Sequence, residues 1–301
     1  MADTVHLVDG SLYVCRAWFA QVPDAEDADG QPVHAVHGFA RFLLDLLERA
    51  RPTHLAVAFD QSLNTSFRNA LYPAYKANRP AAPADLMRQF DGCKALARAL
   101  GAAVLVDDRY EADDLIGSAL ARLRDAGFRG VIVSADKDFG QLIGAADEQW
   151  DPPRNQRWDS AGVKSRLGVH PHQVADYLAL TGDAIDNIPG VPGIGAKTAA
   201  ILLHHFGTLD ALLERADEVA FLRTRGAAAA SMRLREHAQV ARLSRSLTGI
   251  ALDAPVPASA DAYRREAPDG AIDELLERLR FGPLTRARIR ALRESHDLAS
   301  S

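Results

Sequence analysis

The first half of the chain alternates short apolar segments with helical patterns, and this alternation restricts the fold more than any other feature. Buried strands are predicted at 4–8, 55–59, 103–106 and 131–134, and helices at 35–50, at 84–100 and from near Glu111. A β-α-β-α order is typical of an α/β fold with a parallel sheet and helices on both faces. Asp9, Asp60 and Asp136 come at or just after the ends of three of these strands.

The second half of the chain lacks strand signals after about residue 170. Helices are predicted there at 171–181, 196–206, 208–215, 229–247, 271–280 and 284–294, with a loop at 253–259 that contains Pro255 and Pro257. We therefore expect an α/β domain at 1–170 and a helical region at 171–295.

Nine acidic residues fall at places that such a sheet would bring together. The carboxyl ends of parallel strands share one edge, and ligands bind at that edge. The nine are Asp9, Asp60, Glu111, Asp113, Asp114, Asp136, Asp138, Asp183 and Asp186. Individually, an acid at a helix start complements the helix dipole, and an Asp after a strand is often part of a turn. Packed together they repel one another, so the set indicates bound cations.

The ligand types favour hard divalent ions. Carboxylate oxygens without a matching Cys or His cluster select Mg²⁺ or Mn²⁺ rather than zinc. Two such ions suit phosphodiester hydrolysis, because they generate the nucleophile and stabilise the attacking and leaving oxygens. We find no Ser-His-Asp or Cys-His arrangement that competes with this interpretation.

The composition excludes some classes of protein and leaves a nucleic-acid partner open. The chain has a net charge of −5, but apart from the nine acids it carries 31 acidic and 35 basic residues. That balance is compatible with a basic surface facing phosphates. No apolar run approaches the roughly 20 residues of a membrane span, and no secretory signal is visible. Only Cys15 and Cys93 are present, which favours a reducing, cytoplasmic setting.

The segment 66–80 interleaves basic and aromatic side chains: Arg68, Tyr72, Tyr75, Lys76 and Arg79. Cations that contact phosphates and rings that stack on bases suit a single nucleic-acid strand. An ordinary solvated helix explains the segment equally well.

The segment 188–199, IPGVPGIGAKTA, is rich in glycine and lies between two predicted helices. Ala196 breaks the Walker spacing and Thr198 breaks GxGxxG, so a nucleotide-binding loop is disfavoured. A glycine hairpin followed by a helix N-terminus can hold a DNA phosphate without reading sequence. The residues assigned to this role are Gly190, Gly193, Gly195, Lys197 and Thr198, and a plain glycine turn is the alternative.

Together these motifs resemble the bacterial and phage 5′-nuclease family, which includes flap endonucleases and the N-terminal 5′→3′ exonuclease domain of DNA polymerase I. The matching segments are LVDGS, FD, YKANRP, YEADDLIG, SADKDFGQL and TGDAIDNIPGVPGIGAKTA, in order over about 4–290. The resemblance implies a PIN-like α/β domain with a helical arch, followed by a helical region with a helix-hairpin-helix motif. No polymerase or proofreading domain follows, so a freestanding nuclease and an excised fragment both remain open.

The resemblance also implies roles for individual residues. Asp9, Asp60, Glu111 and Asp113 would hold the first ion, and Asp136, Asp138 and Asp186 the second, with Asp113 shared; Asp114 and Asp183 match further acids of bacterial members. Lys76 and Arg79 would contact the scissile phosphate and the threaded 5′ strand as catalytic residues. Arg68 is assigned to DNA binding from the basic-aromatic pattern of its segment and not from the resemblance. Tyr75 would stack on a base. The hairpin would bind duplex phosphates, with a K⁺ ion on its carbonyls.

The function expected from the sequence is that of a Mg²⁺-dependent, structure-specific 5′→3′ exonuclease or flap endonuclease in replication or repair. Its partners would be DNA with 5′ flaps, 5′ overhangs or single-strand/duplex junctions. We expect a monomer without membrane contact, cytoplasmic and at the nucleoid when acting. Two rivals stay open, a flap-binding protein with little cleavage and a PIN-type ribonuclease. A nucleotide-dependent motor is disfavoured by the broken Walker spacing.

Overall fold

The computed structural model describes residues 3–20, 24–61, 65–268 and 270–300, and six strands in these ranges form one sheet. Its order is β3-β2-β1-β4-β5-β6, parallel except for β6, which runs antiparallel to β5. The strands are β1 (Thr4–Asp9), β2 (His54–Asp60), β3 (Ala103–Asp107), β4 (Arg129–Val133), β5 (Glu148–Asp151) and β6 (Gln156–Trp158). The four predicted strands are confirmed. β5 and β6 were not predicted, because they are short and half polar.

Helices cover both faces of the sheet, as predicted. Leu7 and Ala56 pair in register and face one core, whereas Val8 and Val57 pair and face the other. This alternation follows from the two-residue repeat of a strand. On the second face lie α1 (Gly10–Ala20), α2 (His34–Ala50) and α4 (Ala84–Ala99), and on the first lies α5 (Ala112–Asp125).

Helix α1 was not predicted, and it begins immediately where β1 ends. A Cβ at Gly10 would lie 2.8 Å from the carbonyl oxygen of Ala58 and 2.7 Å from the ring of Phe59. Such contacts exclude any larger residue unless the backbone shifts. The glycine therefore lets the chain turn from strand to helix close against β2.

The helical region packs on the first face and shares its core. Its helices are α6 (Ser160–Leu167), α7 (Val174–Thr181), α8 (Ala196–Phe206), α9 (Leu209–Glu214), α10 (Ala227–Glu236) and α11 (Ala238–Thr248). Short 3-10 helices lie at Lys137–Leu142, Pro152–Arg154, Pro171–Gln173, Ala216–Phe221 and Ala260–Tyr263. The single helix predicted at 229–247 is wrong: the chain breaks at His237, whose φ and ψ are −108° and 21°.

The last two helices leave the helical region and return to the sheet. α12 (Ala271–Arg278) packs against α4, and α13 (Pro283–Ser300) packs against α2. Ile272, Leu276 and Ile289 are buried in the core of the second face. The region predicted at 171–295 is thus divided between two cores. In the described ranges, no helix has the length and apolar character needed to cross a membrane.

Candidate active site

Asp9 and Asp60 lie at adjacent strand ends, and neighbouring residues fix their side chains. Asp9 Oδ1 accepts the Leu12 N–H at 3.0 Å, and its Oδ2 accepts the Ser134 hydroxyl at 2.9 Å. Asp60 Oδ1 accepts the Ala112 N–H at 2.9 Å, which connects β2 to the start of α5. The predicted meeting of acids from separate strands at one edge is therefore observed.

Four acids form a group that we call the unpaired acids: Asp9, Asp60, Asp113 and Asp136. Within the described residues, none of the four forms an ion pair. Burial, together with the charges of Asp60 and Asp136, raises the pKa of Asp9 to about 7. Burial and the charges of the other three raise the pKa of Asp113 well above its usual range. These acids repel one another, and their carboxylate oxygens are the ligand type that hard divalent cations prefer.

Asp138 lies beside this group, at the start of the 3-10 helix Lys137–Leu142. Its backbone N–H donates to Asp136 Oδ1 at 3.0 Å. Burial and the charge of Asp136 raise the pKa of Asp138 to about 7. Its Oδ1 is buried and accepts no hydrogen bond in the described part of the chain, although Lys137 Nζ lies 3.7 Å away. A buried carboxylate oxygen without a donor is a further feature that a metal ion would satisfy.

The remaining acids contact basic side chains, and we call them the paired acids: Glu111, Asp114, Asp183 and Asp186. Lys137 donates to Asp183 Oδ2 at 2.7 Å. Burial opposes ionisation of Asp183, but the hydrogen bond and charge of Lys137 outweigh it, so the pKa of Asp183 is lowered. For Glu111, burial is likewise outweighed by Lys76 and Arg68, and the pKa of Glu111 is lowered.

Lys76 and Arg79, the predicted catalytic cations, lie directly on the paired acids. Lys76 Nζ is 2.6 Å from Glu111 Oε1 and 3.9 Å from Asp186 Oδ2, and Arg79 forms an ion pair with Asp186. Lys76 has a φ of +56°, and its N–H donates to the Asp186 carbonyl at 3.0 Å. The structure thus brings together Lys76, Arg79, Glu111 and Asp186, which are distant in sequence.

The structure does not place Arg68 at a surface that DNA could contact, since its side chain is only 3% exposed, and its assignment to DNA binding stays a prediction. Its guanidinium donates to both oxygens of Asp114 at 2.7 and 2.8 Å, to Glu111 at 3.1 Å, and to the carbonyls of Leu247 and Gly249 at 2.9 and 2.8 Å. Nothing in this contact set leaves the guanidinium free for a phosphate.

The structure likewise does not leave Asp114 open to a metal ion, and its assignment to a metal site stays a prediction. Asp114 is fully buried. In addition to Arg68, its Oδ2 accepts the Glu111 N–H at 3.1 Å and its Oδ1 accepts the Ala251 N–H at 2.8 Å. Both oxygens therefore have protein donors, and the residue joins α5 to the chain after α11.

Tyr75 was predicted to stack on a base, but this structure does not present its ring to solvent, because the residue is only 3% exposed. The ring packs with Ile188 and Leu247, and its hydroxyl donates to Glu111 Oε2 at 2.9 Å. Burial and the charges of Glu111 and Asp186 raise the pKa of Tyr75, so the hydroxyl remains a donor. The segment does interleave rings with cations, but the ring of Tyr75 faces the protein interior.

The glycine segment forms a hairpin between α7 and α8. Gly190 and Gly193 have φ of +62° and +74°, and a Cβ at Gly190 would lie 2.4 Å from the Gly182 nitrogen. Val191 and Ile194 are buried and anchor the hairpin in the core. Gly195 is the N-cap of α8, and it is exposed, as is Lys197, while Thr198 is half-buried. The hairpin thus presents the N-terminus of an 11-residue helix to solvent.

Three site residues were missed by the sequence analysis: Ser11, Ser134 and Lys137. Ser11 Oγ accepts the Asp60 N–H at 2.8 Å, and Ser134 Oγ donates to Asp9 and accepts the Asp136 N–H at 3.1 Å. All three lie within two residues of a predicted metal ligand, and that proximity was a usable signal. Their roles became visible only when the strands were placed side by side.

The acidic side chains of the candidate site are not arranged as a complete metal site. In the described ranges, no group of three or more His, Cys, Asp or Glu side chains is arranged to hold a metal ion. Lys76 and Arg79 contact Glu111 and Asp186 in this conformation. The metal-ligand assignments of the other acids therefore stay predictions.

Two sequence models of protein families match consecutive parts of the chain. Residues 4–168 match the 5′-3′ exonuclease N-terminal resolvase-like domain, and residues 169–271 match the 5′-3′ exonuclease C-terminal SAM fold. The chain belongs to the 5′-3′ exonuclease family. The resemblance inferred from the motifs is confirmed.

Relatives of this 5′-3′ exonuclease family member include a 5′-3′ exonuclease and a DNA polymerase I. A 5′-3′ exonuclease of Aquifex aeolicus is 36% identical over 70% of this chain and 72% of its own length. DNA polymerase I of Rhizobium leguminosarum is 39% identical over 94% of this chain, which spans only 28% of that polymerase.

A solved structure has a similar fold at low sequence identity. The bacteriophage T5 D15 flap endonuclease, in a pseudo-enzyme-product complex with DNA and metal ions, aligns with a TM-score of 0.65. The match covers 98% of this chain and 99% of that one at 16% identity. The likeness extends over both the sheet and the helical region of this exonuclease family member.

Proposed function

We propose that this chain is a divalent-metal-dependent, structure-specific 5′ nuclease that hydrolyses DNA phosphodiester bonds near 5′ ends and flaps. The observation that carries the proposal is the set of unpaired acids. Burial and their mutual repulsion raise the pKa of Asp9 and of Asp113, and Lys76 lies on the neighbouring acid Glu111. Family membership and the resemblance to a flap endonuclease fold support the same chemistry.

The residues proposed to hold Mg²⁺ or Mn²⁺ are those with oxygens that basic groups do not permanently occupy. They are Asp9, Asp60, Asp113, Asp136 and Asp138, joined by Glu111 and Asp186 once the latter two are released from Lys76 and Arg79. Asp183 would lie beside these ligands, since Lys137 already occupies one of its carboxylate oxygens. Bound divalent ions supply a nucleophile of lowered pKa and stabilise charge on the reacting phosphate.

Lys76 and Arg79 are proposed to exchange partners when DNA arrives. In the absence of DNA they neutralise Glu111 and Asp186. A substrate phosphate at the acidic edge would offer them an alternative anion, and Arg79 in particular can bind a phosphate through two N–H groups. The two cations would then orient the scissile phosphate, and the paired acids would be free to act as ligands.

The glycine hairpin is proposed to hold duplex DNA. Gly195, Lys197 and Thr198 begin α8 at the surface, so the free N–H groups and the helix dipole favour a phosphate there. A K⁺ ion on the hairpin carbonyls would strengthen this contact. Because the contact involves the backbone of DNA, binding should be independent of sequence and steeply dependent on salt.

The preferred substrates would be DNA with 5′ flaps, 5′ overhangs or single-strand/duplex junctions, bound by a monomer. The test is cleavage of a 5′-labelled DNA flap with Mg²⁺, with EDTA as a control, for the unmodified protein and for Asp136→Asn. Asp253→Asn serves as the matched variant, since Asp253 is exposed and lies outside the site. We expect metal-dependent cutting near the junction that only Asp136→Asn abolishes, with binding retained.

Two other outcomes would select the rival functions. Tight flap binding without cutting, in Mg²⁺ and Mn²⁺ alike, would identify a flap-binding protein. Faster cutting of an all-RNA flap than of an all-DNA flap of the same shape would identify a ribonuclease. An Asp136→Asn protein that still cuts would remove Asp136 from the proposed ligand set.

A further inference from the structure

Arg68 connects three separate parts of the molecule at the candidate active site. It lies at the start of α3 (Phe67–Leu71), in the basic-aromatic segment, and its side chain is buried. It contacts the start of α5 through Glu111 and Asp114, and the end of α11 through the Leu247 and Gly249 carbonyls. All of these contacts are to protein groups.

The end of α11 is in turn connected to the glycine hairpin. Ser244 is fully buried, and its hydroxyl accepts the Gly190 N–H at 3.2 Å. Ser244 and Leu247 are one helical turn apart on α11, so this helix bridges the hairpin and Arg68. Hydrogen bonds therefore connect Gly190 to one turn of α11, and the next turn of α11 through Arg68 to Glu111.

We propose that Arg68 is a positioning residue, which fixes Glu111 relative to the hairpin and thereby sets where on the DNA the cut falls. The inference rests on the proposed function, because it takes Glu111 as a metal ligand and the hairpin as the duplex contact. The hairpin would define where the duplex lies, and Glu111 would help define where the reacting phosphate lies. Arg68 holds the two at a constant separation.

Arg68 differs from Lys76 in the permanence of its contact with Glu111. Lys76 makes one close contact, at 2.6 Å, and can move toward a phosphate. Arg68 makes five hydrogen bonds, including two to Asp114, and its release would leave that fully buried carboxylate without its counter-charge. Breaking a buried pair in this way is strongly unfavourable. Glu111 therefore keeps one fixed cation throughout.

The test compares Arg68→Lys with the unmodified protein in two measurements. Lysine keeps the charge but lacks the planar fork that reaches Asp114 and the two carbonyls together. We expect Mn²⁺ affinity, measured by titration in the absence of DNA, to fall about tenfold, as for other residues that orient a metal ligand. We also expect cleavage of a labelled flap to spread over several neighbouring positions instead of one.

Two further variants separate positioning from general loss of stability. Arg124→Lys alters another ion pair with a buried acid, Asp147, away from the acidic edge, and should change neither measurement. Ser244→Ala removes the hydrogen bond between α11 and Gly190 of the hairpin. It should therefore spread the cleavage positions and leave Mn²⁺ affinity unchanged. Ser244→Ala also tests the proposal if Arg68→Lys fails to fold.

The possible failures are distinguishable. If the unmodified protein neither binds Mn²⁺ nor cuts the flap, the proposed function fails and the positioning role fails with it. If the unmodified protein does both, and Arg68→Lys and Ser244→Ala cut at the same single position, only the positioning role is overturned. The same holds if Arg124→Lys reproduces the effects of Arg68→Lys.

Discussion

The unpaired acids and the paired acids lie side by side, yet their pKa values are shifted in opposite directions. The pKa of Asp9 is raised to about 7, whereas the pKa of Glu111 and that of Asp183 are lowered. Burial raises the pKa of all three, and the difference is the presence of Lys76, Arg68 or Lys137 beside the paired acids. One group of acids is therefore neutralised by the chain itself, and the other lacks a counter-charge until a cation binds.

This difference predicts which acids a metal ion affects most. The unpaired acids should gain the most from a divalent cation, because their repulsion is relieved at once. The paired acids should gain less, since a metal ion replaces contacts that they already have.

The largest effect is expected for Asp113→Asn. Loss of this unpaired acid should slow flap cleavage about a thousandfold or more, because several kcal/mol of metal-dependent stabilisation disappear. The same change should stabilise the metal-free protein, since it removes a charge that repels Asp9 and Asp136. Cleavage rates and thermal unfolding with and without Mg²⁺ measure both effects. An unchanged rate, alongside an unchanged Asp253→Asn control, would exclude Asp113 from the metal centre.

A smaller effect is expected for Lys76→Ala. The substitution should slow cleavage about a hundredfold through the loss of one charged phosphate contact. Metal affinity should not fall, because Glu111 loses the competing cation but keeps Arg68. Single-turnover cleavage at saturating Mg²⁺, with Lys76→Arg as the charge-conserving variant, measures this. A rate unaffected by Lys76→Ala would remove the basic segment from catalysis.

The stability of the metal-free protein should depend on pH in a direction set by the unpaired acids. The folded-state pKa of Asp9 is about 7, and its ordinary value is 3.8. Below pH 4 the Asp9 carboxyl is protonated in both the folded and the unfolded protein, so pH does not change the free energy of unfolding through this group. Between pH 4 and 7 the unfolded state releases it first, so unfolding becomes more favourable as pH rises. Melting temperatures across this range should decline without metal, and Mg²⁺ should abolish the decline; a flat profile would contradict the raised pKa.

The smallest effect is expected at the hairpin. Lys197→Ala should weaken flap binding a few-fold, equally for all sequences, and reduce the dependence of log affinity on log salt by about one. Binding titrations at several salt concentrations measure the slope, with Lys164→Ala as a control lysine on α6. A substitution that altered sequence preference would mean that the hairpin reads bases.

Much of the fold followed from local patterns. The strands ending at Asp9 and Asp60 are short and mostly apolar, and α8 has the spacing and length of a helix, so all three were predicted with nearly correct bounds. The strands β5 and β6 were missed because they are short and contain polar residues such as Gln149 and Arg157, so neither shows an apolar repeat. Helix α1 was missed because it follows β1 without an intervening turn.

The sequence predicted which residues belong to the candidate site better than it predicted what each of them does there. The positions of Asp9, Asp60 and Asp136 after strands were enough to predict that they meet, because parallel strands end at a common edge. The roles predicted for Arg68 and Asp114 stay predictions that this structure does not support. Each is a plausible surface contact or ligand by residue type, and only their mutual hydrogen bonds identify them as a buried pair.

The sequence by itself determined the α/β order, the strand-end acids, the glycine hairpin and the family. These depend on residue type and on spacing along the chain, which a sequence contains in full. Only the tertiary structure decided which acids have a basic partner. That depends on the distance between side chains as far apart in sequence as Lys137 and Asp183. Charges interact strongly only at a few ångströms, so the division between paired and unpaired acids follows from the folding of the chain.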